Sequence, residues 1–578
     1  MKRLMSGNEA IALGAHEAGV LVAAGYPGTP STEILEAVVQ YPDTDCQWSP
    51  NEKVALDVAS GAAFCGARAL AAMKHVGLNV ASDSLMTLSY TGSKGGLVIV
   101  TCDDPGMHSS QNEQDNHHYA AFAKVPMLDP ADSQEAKDFT VFAFKLSEKF
   151  DTPVLLRSTT RISHGKGVVK TGRMAKLRRS YSFDADRQKY VMIPAYARVR
   201  HALVEKRLGK LKEFSDETEL NRIEWGDKGI GIIAAGVSYY YAKEVAPDAS
   251  FLKLGMSYPL PEKKVRRFAR QVKKLYVIEE LDDFIAEQIR AMGIEVRSKA
   301  PAFRLGELDP LKVKAILRGA NEVPEPAETG RPHPPAMCPG CGHRGIFWSL
   351  KRLGLKVTGD IGCYTLGTLP PLEALHTCVC MGAGIGHAHG ISKAVSPEEA
   401  KKTVAVIGDS TFFHAGIGPL MDAVYNKGNV TVVILDNRTT AMTGRQDHPG
   451  TGKTLRGEPT NEIDIPKLCR ALGVEDVKTV DPFDLGGVSA ALRDSLSREG
   501  VSVLVSCAEC LLISRKREQA VMFHVEHCRE CGLCLLLGCP AIEEVKGQPR
   551  IISELCTGCG ICVQVCKFGA LTPYDAES

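Results

Sequence analysis

The chain has 578 residues, 44% of them hydrophobic, and its 69 Lys and Arg residues nearly balance its 68 Asp and Glu residues. This length and apolar content are enough for about three or four ordinary domains, and the balanced charge gives no net field that would favour nucleic acid or an anionic membrane. The N-terminal stretch MKRLMSGNEA turns polar where a signal peptide needs an apolar run, and each apolar run is shorter than the roughly 18 residues of a membrane helix. Composition therefore predicts a soluble, cytoplasmic protein without a membrane segment.

The N-terminal stretch GNEAIALGAHEAGVLVAAGYPGTPSTEI predicts an amphipathic helix, an apolar strand and a turn at Pro27-Gly28. Hydroxyl side chains follow the turn at Thr29, Ser31 and Thr32. They could cap the next helix, or the turn could bind a carboxylate. Further along, Glu52 begins a helix of small residues, where an acid could simply complement the helix dipole.

Two apolar stretches in the middle of the chain, 229–236 and 274–280, are typical of buried parallel strands. A proline-rich segment at 321–335 follows them and predicts a semi-rigid linker. The basic region at 173–179 has no interleaved aromatic residue, so we interpret it as a solvated surface.

A β-α-β unit is predicted between about residues 400 and 440. Its first strand ends at Gly408-Asp409-Ser410 and its second at Asp436-Asn437. The carboxyl ends of parallel strands meet at one edge of a sheet, so Asp409 and Asn437 should share a rim where their oxygens could hold Mg²⁺. An aspartate before a helix is also a common N-cap. Upstream, Gly382-Ala-Gly384-Ile-Gly386 could bind phosphate at a helix N-terminus or could serve close helix packing.

Eight of the 19 cysteines lie between Cys528 and Cys566 in two copies of one C-x2-C-x2-C motif, a spacing too regular for scattered disulfides. In two-cluster ferredoxins, each motif supplies the fourth ligand of the other cluster. We therefore assign Cys528, Cys531, Cys534 and Cys566 to a first [4Fe–4S] cluster and Cys556, Cys559, Cys562 and Cys539 to a second. The first motif has four residues before its last cysteine where three are usual, and Cys566 is followed by Lys567 where proline is usual. Zinc would have no use for the third cysteine of each run.

Taken together, the motifs resemble the alpha subunits of the indolepyruvate ferredoxin oxidoreductases, within the wider 2-oxo acid ferredoxin oxidoreductase family. The resemblance covers nearly the whole chain. The motifs that carry it are YPGTPSTE from Tyr26, NEK from Asn51, CPGCGHR from Cys338, GDIGCYTLG from Gly359, the Gly408 to Asn437 motif, TAMTG from Thr440 and the terminal ferredoxin cysteines.

The resemblance implies an α/β fold with two thiamine-diphosphate-binding-type domains, a transketolase-C-terminal-like α/β domain and a small C-terminal two-cluster ferredoxin domain. The implied boundaries are 1–180 for the pyrimidine-binding-type domain, 181–325 for the transketolase-like domain, 326–515 for the diphosphate and magnesium domain, and 516–578 for the ferredoxin domain. A smaller beta subunit, an α2β2 assembly and ferredoxin as the electron acceptor are implied as well.

The resemblance also implies roles for individual residues. Glu52 looks like the glutamate that hydrogen-bonds the thiamine aminopyrimidine, and Thr29 like a threonine near the substrate carboxylate. Asp409, Asn437 and the backbone carbonyl of Thr439 resemble the Mg²⁺ ligands, flanked by Gly408 and Ser410 at the cofactor. The implied reaction is the oxidative decarboxylation of arylpyruvates, with coenzyme A taking the acyl group.

Four further cysteines, Cys338, Cys341, Cys363 and Cys510, lie where some relatives hold another cluster close to thiamine. A zinc site made of Cys338, Cys341, Cys507 and Cys510 is an alternative, and so are reduced thiols.

Two rival functions stay open beside the oxidoreductase. A non-oxidative decarboxylase would release no electrons, so the terminal cysteine motifs argue against it. An electron-transfer or scaffold subunit with inactive thiamine-type domains would have no need for Glu52, Asp409 and Asn437 together.

Overall fold

The computed structural model describes residues 1–175, 180–325, 335–514 and 517–574. The chain divides into two compact units, Met1–Thr329 and Gly330–Ser578, and each contains its own sheets and hydrophobic cores. Parts of the predicted basic region and of the proline-rich linker lie outside the described residues. Among the helices of the described ranges, none has the length and apolar character needed to cross a membrane.

The first unit alternates strands and helices. Its strands are β1 (Lys2–Ser6), β2 (Val22–Gly25), β3 (Asp45–Trp48), β4 (Ala69–Lys74), β5 (Leu97–Asp103), β6 (Met127–Leu128), β7 (Val154–Thr159), β8 (Lys166–Lys170), β9 (Arg222–Glu224), β10 (Asp227–Ala235), β11 (Ala249–Leu254), β12 (Met256–Tyr258) and β13 (Lys274–Ile278). Its helices are α1 (Gly7–Glu17), α2 (Thr32–Val38), α3 (Glu52–Phe64), α4 (His75–Thr91), α5 (His117–Ala123), α6 (Ser133–Phe150), α7 (Thr160–His164), α8 (Arg187–Tyr190), α9 (Pro194–Glu217), α10 (Ser238–Val245), α11 (Glu262–Ala269), α12 (Phe284–Ala291) and α13 (Pro310–Leu317).

A seven-stranded sheet in the order β12-β6-β7-β5-β4-β2-β3 forms the centre of the first unit. All of its strands are parallel except β12, which pairs antiparallel with β6. The strands β4, β5 and β7 are fully buried and each begins with apolar residues, as expected for a parallel sheet covered by helices on both faces. The carboxyl ends of β2, β3, β4 and β5 therefore lie along one edge of the sheet. Lys74 is the last residue of β4, and Thr29, Glu52 and Asp104 follow the ends of β2, β3 and β5.

A second sheet of the first unit has the order β13-β10-β11-β9. The predicted strands at 229–236 and 274–280 correspond to β10 and β13, which are parallel neighbours with buried interiors. This prediction is confirmed.

The second unit has a sheet of its own and a cysteine-rich C-terminal part. Its strands are β14 (Lys356–Gly359), β15 (Thr377–Cys378), β16 (Thr403–Gly408), β17 (Val430–Asp436), β18 (Asp476–Val480), β19 (Val501–Cys507), β20 (Met522–Phe523), β21 (Ile542–Val545), β22 (Gln548–Ile551) and β23 (Leu571–Thr572). Its helices are α14 (His343–Arg352), α15 (Ala383–Ala394), α16 (Pro397–Ala400), α17 (Asp409–Thr411), α18 (Ile417–Tyr425), α19 (Ile465–Ala471), α20 (Leu485–Ser497) and α21 (Ile561–Val565).

The main sheet of the second unit is wholly parallel, in the order β15-β14-β16-β17-β19-β18. The predicted β-α-β unit is confirmed, because β16 and β17 are adjacent and α18 connects them. A π-helical turn, Phe412–Gly416, lies between α17 and α18, an irregularity often found at functional sites.

The cysteine-rich segment after Val521 packs against α14 inside the second unit. Trp348 of α14 shares a hydrophobic core with Leu537, Ile561 and Val565. Arg344, one turn earlier on the same helix, donates hydrogen bonds to the carbonyls of Leu537 at 2.6 Å and Met337 at 2.9 Å. The ferredoxin-type segment is therefore attached to the diphosphate-type domain by buried contacts.

Candidate active site and iron–sulfur centres

Glu52 is the first residue of α3 and is buried. Asn51 caps this helix by accepting a hydrogen bond from the Val54 N–H at 3.0 Å. The Glu52 carboxylate lies against the first turn of α4, where a Cβ atom added to Gly77 would be only 2.5 Å from Glu52 Oε1. The first turns of α3 and α4 therefore fix the position of this carboxylate.

Hydrogen bonds of the hydroxyl groups of Ser31 and Thr32 stabilise the turn after β2. The Gly28 N–H donates to Thr32 Oγ1 at 2.9 Å, and Ser31 Oγ donates to the Gly28 carbonyl at 2.7 Å. Ser31 makes no side-chain capping hydrogen bond to α2, so the helix-cap interpretation of Ser31 is wrong. Thr29 is half-buried at the tip of this turn, and its carbonyl accepts a hydrogen bond from Ser109 Oγ at 3.0 Å.

In the second unit, the structure brings Asp409, Asn437 and Thr439 together at the carboxyl ends of β16 and β17. Asp409 Oδ2 accepts hydrogen bonds from the N–H groups of Asn437 at 3.1 Å and Arg438 at 2.8 Å. Arg438 has a positive φ of 64°, which turns the chain back towards Asp409. Asp409 is the first residue of α17, and Gly408 occupies the N-cap position. Asp409 therefore does not cap that helix.

The donors at this rim are a carboxylate, an amide and backbone carbonyls, which is the all-oxygen set that Mg²⁺ prefers. Gly408 is tightly packed, because a Cβ atom there would lie 2.8 Å from the ring of Tyr364. Ser410 Oγ and Thr440 Oγ1 are hydrogen-bonded at 2.8 Å. The residues present therefore fit a magnesium diphosphate.

Two histidines to which the sequence analysis gave no role lie beside Asp409 and Asn437. His448 Nε2 is 3.1 Å from Asp409 Oδ2, and His343 Nε2 is 3.5 Å from Asn437 Nδ2. Burial lowers the pKa of His343 to about 4, although the charge of Asp409 opposes this, so its imidazole is neutral. His343 belongs to the CPGCGHR motif, which was its only sequence signal.

The segment Gly382 to Gly386 leads into α15, with Gly382 at a positive φ of 82°. The Gly382 N–H donates to Asp360 Oδ2 at 2.9 Å. Gly384 packs closely on β14, since a Cβ atom there would lie 3.2 Å from Gly359. The close-packing interpretation therefore accounts for Gly384, and phosphate binding at this helix end stays a prediction.

Cys338 lies close enough to Cys341, Cys363 and Cys510 for its charge to contribute to the raised pKa of each of them. Burial, with the nearby charges of Cys338 and Cys363, raises the pKa of Cys341 to about 12. Burial, with the charges of Cys510 and Cys338, likewise raises the pKa of Cys363 to about 11. Burial raises the pKa of Cys507 to about 11, and the charges of Asp436 and Asp409 add to this effect. The third cluster and the zinc site that would use Cys507 both stay predictions.

The ferredoxin cysteines form the two sets expected from their spacing. Cys528, Cys531, Cys534 and Cys566 line one cavity. Burial raises the pKa of Cys562 to about 12, and the charges of Cys559, Cys539 and Cys556 raise it further. Cys539 of the first motif therefore lies near the cysteines of the second motif.

Among the described residues, no group of three or more His, Cys, Asp or Glu side chains is arranged to hold a single metal ion. A four-iron cluster distributes its thiolates over four separate irons, so two sets of four cysteines fit such clusters as a donor set.

Three family models match the chain in an order that follows its architecture. Residues 13–209 match "Pyruvate flavodoxin/ferredoxin oxidoreductase, thiamine diP-bdg", residues 360–506 match "Thiamine pyrophosphate enzyme, C-terminal TPP binding domain", and residues 549–572 match "4Fe-4S binding domain". Together with the fold, they define a thiamine diphosphate-dependent 2-oxo acid oxidoreductase that uses iron–sulfur clusters.

The chain is also similar to curated proteins over its whole length. It is 40% identical over 615 residues to the "Indolepyruvate oxidoreductase subunit IorA" of Archaeoglobus fulgidus, covering 100% of this chain and 98% of that protein. It is 41% identical over 609 residues to the protein of the same name from Methanothermobacter thermautotrophicus, covering 99% and 97%. The chain therefore belongs to the IorA family of 2-oxo acid ferredoxin oxidoreductases.

Proposed function

We propose that this chain catalyses the oxidative decarboxylation of arylpyruvates, with indolepyruvate and phenylpyruvate as substrates, and that coenzyme A accepts the acyl group. The relatives that match the whole chain are named for indolepyruvate, and this supports the aryl side chain. The structural observation that carries the proposal is the presence, in one chain, of the buried Glu52, the Asp409 rim and two sets of ferredoxin cysteines.

Each group has a distinct task in this proposal. Thiamine diphosphate supplies, when bound, the carbanion chemistry that releases CO₂ and yields two electrons. Glu52 holds the proton at the aminopyrimidine ring nitrogen, Thr29 lies beside the substrate carboxylate, and Asp409, Asn437 and the Thr439 carbonyl hold Mg²⁺ next to Gly408 and Ser410. The two cysteine sets hold two [4Fe–4S] clusters that pass electrons singly to ferredoxin.

We further propose an α2β2 assembly with a smaller beta subunit, located in the cytoplasm, where thiols stay reduced. A third cluster on Cys338, Cys341, Cys363 and Cys510 is a separate option. Because two [4Fe–4S] clusters contain about eight irons and three contain about twelve, iron quantitation decides between them.

The first experiment is anaerobic quantitation of iron, sulfide and thiamine diphosphate, followed by viologen or ferredoxin reduction with indolepyruvate and coenzyme A. We expect about eight or about twelve irons, bound thiamine diphosphate, and turnover that requires coenzyme A. Clusters without thiamine diphosphate would instead indicate an electron-transfer or scaffold subunit. Decarboxylation that persists after deletion of the segment beyond residue 515 would indicate a non-oxidative decarboxylase.

Two variants separate binding from catalysis. Asp409→Ala should lose bound thiamine diphosphate, whereas Glu52→Ala should retain it and lose turnover. Asp422→Ala, which removes an exposed carboxylate of the same unit, is the matched control and should leave both unchanged. Full activity in Glu52→Ala would remove Glu52 from the proposal.

A further inference from the structure

Lys74 lies at the carboxyl end of β4, on the edge of the sheet that also positions Thr29 and Glu52, and is only 8% exposed. The Gly28 backbone passes directly over its aliphatic stem, because a Cβ atom on Gly28 would lie 3.1 Å from Lys74 Cδ. Its ammonium donates a hydrogen bond to the Ser109 carbonyl at 3.0 Å, and Ser109 Oγ in turn contacts the Thr29 carbonyl. Lys74 is therefore part of the structure that forms the Thr29 turn.

The four buried lysines of the described chain differ in one respect. Lys137 is 3.2 Å from Glu17, Lys299 is 3.1 Å from Asp283, and Lys253 is paired with Glu135. Within the part of the chain that the structure describes, Lys74 has no carboxylate within 4 Å, and the acceptor of its hydrogen bond is the neutral Ser109 carbonyl. A buried ammonium without an anion is costly, so buried lysines are normally paired.

The anions nearest to Lys74 are engaged elsewhere. Asp104 accepts hydrogen bonds from Ser109, Ser110 and Thr160, and the Glu52 carboxylate lies against Gly77. Burial lowers the pKa of Lys74 to about 8, while the more distant charges of Asp104, Glu52 and Cys102 limit the shift. The side chain thus still carries most of its positive charge at neutral pH.

We propose that Lys74 binds the carboxylate of the 2-oxo acid, so that the substrate provides the missing counter-ion of this buried ammonium. This inference rests on the proposed function, and it deepens it by assigning a residue to the charged end of the substrate. In this proposal Thr29, on the turn that passes over Lys74, contacts the same carboxylate. Lys74 contributes binding and orientation, so its loss raises KM more than it lowers kcat.

The test is equilibrium binding to the holoenzyme of two unreactive probes, 3-phenylpropanoate and the uncharged 3-phenylpropanamide. Lys74→Met should weaken propanoate binding about tenfold or more, as expected for a hydrogen bond to a charged group, and leave amide binding unchanged. The KM for phenylpyruvate should rise by a similar factor, and Lys74→Arg should retain more affinity than Lys74→Met. Lys137→Met, which removes a paired lysine of equal burial, should leave propanoate binding unchanged.

Normal propanoate binding in Lys74→Met would overturn the proposal. Equal losses for propanoate and amide would overturn it too, because they would indicate altered shape and not lost charge. Thiamine diphosphate content and melting temperature check the fold, and removing an unpaired buried charge should not lower the melting temperature at pH 7. If the wild-type enzyme oxidises a different 2-oxo acid, the aryl assignment fails, and the same comparison with that acid's deoxy analogue and amide still decides the role of Lys74.

Discussion

Because Gly77 has no side chain, the Glu52 carboxylate can lie directly against α4. Gly77 is the residue of α4 that faces Glu52, and any side chain there would enter the space of the carboxylate. In the proposed function this carboxylate meets a ring nitrogen within hydrogen-bond distance, so a displacement of about 1 Å would reduce turnover strongly, by roughly a hundredfold.

We therefore expect Gly77→Ala to reduce kcat by one to two orders of magnitude, roughly the cost of such a displacement, while iron and thiamine diphosphate content stay normal. Steady-state kinetics with phenylpyruvate and cofactor analysis measure this. Gly61→Ala in α3 is the control, because a Cβ atom there meets nothing within 4 Å. Unchanged kcat in Gly77→Ala would show that the position of Glu52 tolerates movement or that Glu52 has no catalytic role.

At the scale of secondary-structure elements, a buried charge network joins the loop after β5 to β6 and β7. His117 lies between Asp115 at 2.6 Å and Asp129 at 2.9 Å, and Arg157 of β7 donates to Asp103 at 2.7 Å. Burial disfavours the imidazolium, but Asp115 and Asp129 outweigh this effect and raise the pKa of His117 to about 9. This histidine is therefore charged in the folded protein at neutral pH.

The raised pKa has a defined consequence for stability. The stabilisation from His117 is complete below the ordinary imidazole pKa of about 6.5 and disappears as the pH rises through about 9. We expect the melting temperature of the wild-type protein, relative to that of His117→Gln, to fall between pH 6.5 and 9. Thermal unfolding of both proteins across this range measures it, and a difference independent of pH would contradict the raised pKa.

A feature could be predicted from the sequence when it depended on neighbouring residues, and not when it depended on residues far apart in the chain. The strand ends at Asp409 and Asn437 and the cysteine sets follow from periodicity and spacing, and the structure places them as expected. The role proposed for Lys74 had no such signal. It depends on the absence of a carboxylate within 4 Å among the described residues, which only the three-dimensional structure shows.

On the scale of the whole molecule, Arg344 connects the diphosphate-type domain to the ferredoxin-type segment. It is 3% exposed, and its guanidinium holds the carbonyls of Leu537, Met337 and Cys338. Its loss would leave the buried Leu537 carbonyl, two residues before Cys539, without this donor.

We expect Arg344→Met to speed amide hydrogen exchange at 535–538 by about tenfold or more, because a charged hydrogen bond is lost there, and to slow ferredoxin reduction. Hydrogen–deuterium exchange followed by mass spectrometry measures the first effect. Arg352→Met at the exposed end of the same helix removes only a contact with the Trp348 ring and is the control. Equal exchange in both variants would mean that Trp348 and its apolar neighbours hold the segment by themselves.

The short strand β12 also matters for how the protein is made. It comes from the predicted transketolase-like domain, more than a hundred residues after β6, yet it covers the outer edge of the seven-stranded sheet. During synthesis that edge stays unpaired until residue 258 has left the ribosome, and an uncovered strand edge favours aggregation. A gene fragment that stops near residue 180 would produce a chain prone to precipitate, whereas one that continues to the end of α13 would carry its own protection.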